Sequence, residues 1–304
     1  MKKHAFKIAG FLLGFCVVLS LVSVPFQPLK RLGTQYKDVL ERVDNLSVEK
    51  KESIDALILG DSIAWAGISP LRMYAQDKIS VYNCGTSGQR LMESVYILER
   101  ALESQKPEAV VLDVNCVMAV STPLRYYFER VEENFPALRY HDYYLKESEN
   151  KGSLDAWKGY TYTPSTYPMA PFEYMVPREA DWPDKNHSLL DKLYKLCKKK
   201  GVSLVLMALP CPKSWNQTKH ELIKKWAEER NLDFLDMNAN FKVNIDWYTD
   251  FRDDGDHLND SGATKCSYAL GKYLKETYHL QEKTNQEYER AIEAVGVYGQ
   301  DGLQ

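Results

Sequence analysis

Asp55-Ala56-Leu57-Ile58-Leu59-Gly60-Asp61-Ser62 decides how this chain reads. Four consecutive apolar residues, stopped by a glycine, predict a short strand buried on both faces rather than a half-exposed one. The serine that follows the stop stands at the carboxyl end of that strand, where open α/β sheets place their ligands. Similar short apolar runs recur at 79–83 (ISVYN), 108–115 (EAVVLDVN), 202–209 (VSLVLMAL) and 233–236 (DFLD). Between and after them, amphipathic periods predict helices over about 89–104, 188–200, 219–230 and 261–278. Gly201 and Asn231 supply two helix stops. Fully apolar strands alternating with amphipathic helices predict a three-layer α/β/α domain with a parallel sheet of about five strands.

The amino terminus follows different rules. After Lys2, Lys3 and Lys7, residues 8–26 carry no charge. As helix this run is roughly 28 Å long, close to the hydrocarbon thickness of a bilayer. No small-x-small cleavage site follows it, so a signal-anchor over 1–26 is expected, with secretion after signal-peptide cleavage as the alternative. The α/β domain is expected outside the cytoplasm. Residues 27–52 are polar and helix-prone and read as a stalk, 53–280 as the α/β domain, and 281–304 as a polar tail.

A net charge of −3 gives no electrostatic support for nucleic-acid binding. Beyond Cys16, the cysteines at 84, 116, 197, 211 and 266 are odd in number and lack a CxxC spacing. They read as small buried hydrophobes, not as a disulfide framework or a zinc site. One segment breaks the strand–helix alternation. Residues 117–183 show no strong period, yet hold 14 of the 36 Phe, Trp and Tyr residues, too many aromatics for a disordered insertion. Two readings stand side by side: a cap packed on the sheet edge, or a substrate lid in which Trp157, Tyr160, Tyr162 and Tyr167 offer stacking surfaces for sugar rings.

Each strand end carries a residue suited to chemistry. Ser62 follows the first strand, Gly85 the second, and Asn115 ends the third. Asp254-Gly255-Asp256-His257 precedes the last helix. A serine with an Asp/His pair is the set of parts for nucleophilic catalysis. The backbone N–H groups of Ser62 and Gly85, with the Asn115 side chain, could receive the oxyanion of a tetrahedral intermediate. The three-residue spacing to His257 selects Asp254 as the orienting carboxylate, with Asp253 as the alternative. The cluster of carboxylates beside His257 is too compact for a cation site, so no metal is expected.

These residues resemble the SGNH/GDSL hydrolase superfamily, whose four sequence blocks contribute a Ser, a Gly, an Asn and a His with a nearby Asp. The resemblance spans about 55–273, without the insertion. Gly60-Asp61-Ser62 is similar to the nucleophile block, and Gly85 and Asn115 to the two oxyanion positions. Asp254-Gly255-Asp256-His257 is similar to the acid–base block. Two positions depart from the family pattern: Asp113 stands where the third block has glycine, and Cys116 where it has aspartate. The resemblance implies a flavodoxin-like fold and an acyl-Ser62 intermediate formed without a cofactor. With an anchor and an aromatic insertion, the expected substrate is an acylated cell-envelope or extracellular glycan, or a small ester. Hydrolysis and transfer both stay open, as does a multispanning membrane O-acyltransferase as partner. The alternatives are a lipid or thioester hydrolase of the same fold, and a non-catalytic scaffold of an acyltransferase complex.

Overall fold

The computed structural model describes residues 2–32, 36–118, 123–141, 143 and 152–297. The chain begins with helix α1 (Lys2–Ser23), followed by a 3-10 helix (Val24–Leu32) and α2 (Tyr36–Val48). Strand β1 (Ala56–Leu59) leads directly into α3 (Ser62–Gly67), α4 (Pro70–Asp77) and β2 (Val81–Asn83). Next come α5 (Leu91–Ala101), β3 (Ala109–Asp113), a 3-10 turn (Val114–Met118), α6 (Pro123–Asn134) and α7 (Ala137–Tyr140). The second half holds α8 (Asp184–Lys200), β4 (Ser203–Ala208), α9 (Gln217–Glu228), β5 (Phe234–Asp236), α10 (Asp260–Thr277) and α11 (Gln286–Val295).

All five strands are parallel, in the order β2-β1-β3-β4-β5. That order reverses direction at β1/β3, and a crevice opens there at the carboxyl ends of the strands. Ser62 follows β1 and Asn115 follows β3, so the two lie on either side of this point. Every residue of β1, β2 and β3 is buried, as expected for a sheet covered on both faces. Burying each Leu or Ile of β1 stabilises the fold by about 1.5–3 kcal/mol. The helices α3 and α4 between β1 and β2 have no counterpart in the periodicity. Their start is marked instead by the Asp61 cap and by Pro70 at the head of α4.

Two flanking segments differ from expectation. Residues 27–52 do not form a free stalk: α2 packs against α5, with Val39, Val43 and Leu46 buried. The apolar residues of α2 recur at helical spacing within a mostly polar segment, and that stripe is what docks. The segment after 280 is likewise not a loose tail. In α11, Tyr288 is fully buried against Tyr74, with ring centroids 5.2 Å apart, and its hydroxyl donates to the Val81 carbonyl. Lys158 of the insertion touches both additions: its Nζ lies 2.7 Å from Glu49 Oε1, with both side chains almost wholly buried, and 5.0 Å from the Tyr288 ring centroid. Burial pushes the Glu49 carboxyl up to about 7, against the opposing pull of Lys158.

Candidate active site

The turn after β1 requires Gly60. A Cβ there would lie 2.7 Å from Ala64 Cβ and 2.9 Å from Asp113 Cβ. Asp61 then caps α3, its Oδ1 accepting from Ile63 N at 2.9 Å. This places Ser62 at the first helical position, where the backbone N–H has no intrahelical acceptor.

Ser62 Oγ lies 2.8 Å from Nε2 of His257, and Nδ1 of the same ring lies 2.6 Å from Oδ2 of Asp253. With Nδ1 donating to the carboxylate, Nε2 is left as the acceptor facing the serine. The expected Asp254 is elsewhere. Both of its carboxylate oxygens accept from Lys213 Nζ at 2.9 Å, on the outside of the loop. The reason is local. The chain turns at Gly255 (φ +100), and Asp253 Oδ1 accepts from the amides of both Asp256 and His257 at 2.9 Å. The first carboxylate of the loop is thereby folded back over the residue four positions on, while its neighbour points out. Burial pushes the Asp253 carboxyl up, but the bonds from His257 and Asp256 outweigh it and hold the group below its ordinary range.

Asn115 stands just after β3, the strand paired with β1. Its backbone N and its Nδ2 both donate to Asp113 Oδ1, at 2.9 and 3.0 Å. The other Asp113 oxygen accepts from Leu209 N at 3.2 Å, so one buried carboxylate joins the ends of β3 and β4 to Asn115. Burial first, then the nearby Asp61 charge, pushes the Asp113 carboxyl up to about 7. Asp61 is also raised, chiefly by burial. Cys116 sits behind Asp113 as a buried thiol, its Sγ 3.2 Å from the Asp113 carbonyl oxygen.

Gly85 lies against the turn that carries Ser62, where a Cβ would come within 3.1 Å of Asp61 O. Its N–H donates to Asn83 Oδ1 at 2.9 Å, so this amide is already engaged. The fully buried Asn83 side chain also donates to the carbonyls of Ala64 and Ile68, both at 2.8 Å, and so ties β2 to α3. A glycine is needed at 85 because a Cβ would lie 2.9 Å from Trp65 N.

The described part of the insertion is laced to this site. Thr161 N donates to Trp65 O at 3.1 Å, one turn beyond Ser62, and Tyr167 N donates to Phe251 O at 2.8 Å. Trp157 and Tyr162 stack with centroids 4.9 Å apart and planes 9° apart, and Tyr162 is exposed. Tyr167 is also exposed. Tyr160 is not a stacking surface: it is buried, with its hydroxyl 3.2 Å from Asp260 Oδ1. Sequence reasoning overlooked Asn83, Lys213 and the bracing role of Asp113. Only Asp113, a charged residue inside an apolar strand run, carried a visible signal. Among the described residues, no group of three or more His, Cys, Asp or Glu side chains is placed to hold a metal ion.

Solved lipases and esterases are similar to this chain. They include a GDSL-like lipase from Bacteroides thetaiotaomicron, at 14% identity over 81% of this chain and 98% of that one, with a TM-score of 0.42. A family 3 carbohydrate esterase from Clostridium thermocellum matches at 15% identity over 74% and 97%, with a TM-score of 0.42. An acetyl xylan esterase matches at 17% identity over 72% and 99%, with a TM-score of 0.41. No protein-family model and no curated protein matches the chain.

Proposed function

We propose that this protein is a serine-dependent O-acyl esterase or acyltransferase acting on an acylated cell-envelope glycan. The observation that carries the reading is the unbroken Ser62–His257–Asp253 chain of contacts, 2.8 and 2.6 Å long. His257 Nε2 accepts the Ser62 proton as Oγ attacks the ester carbonyl, and Asp253 holds the ring and stabilises the imidazolium. The oxyanion is received by the Ser62 amide and Asn115 Nδ2. The imidazolium then protonates the departing alkoxide, leaving acyl-Ser62. Water or a sugar hydroxyl, deprotonated by His257, resolves that intermediate.

Two features support the location and the substrate class. The span Phe6–Lys30 is long and apolar enough to cross a membrane, which suits an anchor with the catalytic domain outside the cytoplasm and a multispanning membrane O-acyltransferase as neighbour. The exposed Tyr162, stacked on Trp157 and joined through Thr161 to the nucleophile's helix, suits the flat face of a sugar ring. The test is a pair of assays on Tyr162→Ala: release of acyl groups from an acetylated polysaccharide, and hydrolysis of an aryl acetate. Loss confined to the polysaccharide supports the glycan reading; equal rates on both substrates in wild type and variant contradict it.

A further inference from the structure

Helix α6 is amphipathic the wrong way round for a soluble protein. A surface helix ordinarily turns its apolar stripe to the core and its charges to water. Here Glu129 is only 7% exposed and is paired with Arg90 of the domain. Glu132 meets Arg139 at 2.7 Å, and Glu133 meets Lys185 of α8 at 3.3 Å. The acidic face is thus turned to the body of the protein. The opposite face presents Leu124, Phe128 and Val131, which are 69%, 57% and 47% exposed, and Leu138 of α7 continues the stripe. Contiguous exposed apolar surface of this kind marks an interaction site.

What covers it follows from its position. The patch adjoins the carboxyl end of α1, whose own side chains Leu13, Val17, Leu21 and Val22 are exposed. Ser23 Oγ accepts from Ala137 N at 3.2 Å, which fixes α7 to the end of α1. A groove of about 440 Å³ between α1 and α6 is lined by Ser20 together with Tyr127, Arg130, Val131, Asn134 and Phe135. The exposed apolar side chains of α1 and α6 thus flank one groove, whose wall mixes Tyr127, Val131 and Phe135 with Ser20, Arg130 and Asn134. At 1.5 Å per residue, Ser20 lies about 4.5 Å inside the end of α1, comparable to the roughly 5–10 Å at which an amphipathic helix rests in a bilayer interface.

We propose that α6 lies in the interfacial layer of the lipid bilayer that α1 spans, with its apolar face toward the acyl chains. Arg130 at the groove edge can extend its guanidinium to the phosphate level. This inference rests on reading α1 as a retained anchor. It gives the catalytic domain a second hold on the membrane and a fixed orientation, where an anchor alone would leave the domain free to swivel.

The test uses the full chain reconstituted in phosphatidylcholine–phosphatidylglycerol vesicles, on a Cys16→Ala background in which the remaining cysteines are buried. Nitroxide labels are placed one at a time through Leu124→Cys, Phe128→Cys, Val131→Cys, Leu13→Cys and Lys185→Cys. Collision with oxygen is then compared with collision with a water-soluble nickel complex. The expected result is an oxygen-to-nickel ratio at 124, 128 and 131 several-fold above that at 185, approaching that at 13. Nickel-accessible labels at 128 and 131 with an oxygen-favoured label at 13 would overturn the proposal and leave the anchor intact. Labels at 128 and 131 shielded from both reagents would overturn it in favour of a protein partner or a second copy. A nickel-accessible label at 13 would mean that the anchor reading itself had failed, and the proposal with it.

Discussion

Asp253 Oδ2 lies 2.6 Å from Nδ1 of His257, and the same carboxylate's other oxygen binds the His257 amide at 2.9 Å. One side chain therefore sets both the ring and the backbone of the residue that faces Ser62. Asp253→Asn should lower kcat on an aryl acetate by roughly 10³- to 10⁴-fold, because an amide favours the wrong imidazole tautomer. Asp254→Asn, which removes only one of the two carboxylates paired with Lys213, should stay within a few-fold of wild type. Steady-state kinetics of the two variants check this assignment.

Asn115 is held by two bonds to Asp113 and is the side-chain oxyanion donor of the proposed mechanism. Removing an oxyanion donor costs about 10²- to 10³-fold in kcat, so Asn115→Ala should fall in that range with little change in KM. Labelling of Ser62 by a fluorophosphonate should slow in the same variant without being abolished. The two measurements together separate loss of an oxyanion donor from loss of the fold.

The buried Asp113 gives stability a distinct pH dependence. Its folded pKa, pushed to about 7 by burial and by Asp61, lies above the ordinary carboxyl value of about 3.9 expected when unfolded. Between those values the folded state binds more protons, so this group's contribution falls as pH rises from about 4 to about 7 and is flat above. Thermal unfolding followed across that range should show a shallower decline for Asp113→Asn than for wild type. The readout is the slope, since the substitution also disturbs the bond from Leu209.

The Glu49–Lys158 pair joins α2 to the insertion with almost no solvent contact. Removing one partner of a buried pair costs about 3–5 kcal/mol. Lys158→Met should therefore lower the Tm clearly at pH 8. The loss should shrink at pH 5, because Glu49, already raised to about 7, is then protonated and needs no counter-ion.

The sheet was legible because its signal is local. Runs such as 56–59 and 204–209 are apolar throughout, and a strand buried on both faces admits little else. Ser62, Asn115 and His257 were legible because each follows a strand or precedes a helix whose position could be read. The choice of Asp253 over Asp254 was not, since it depends on a left-handed turn at Gly255 that reverses which carboxylate faces the ring. The engaged amide of Gly85 was hidden for a similar reason: its acceptor, Asn83, is only two residues away and equally consistent with a strand end. The docking of α2 and α11 escaped because their apolar stripes are narrow and flanked by charge. Residues 119–122 and 144–151 of the insertion lie outside the described residues.

The central claim is that Ser62 is the nucleophile of a covalent mechanism. The most direct measurement is intact-protein and peptide mass spectrometry after treatment of the full chain with a fluorophosphonate. The account predicts a single adduct on the peptide containing Ser62, absent from Ser62→Ala and strongly slowed in His257→Ala. An adduct on another residue, or equal labelling of wild type and Ser62→Ala, would contradict it.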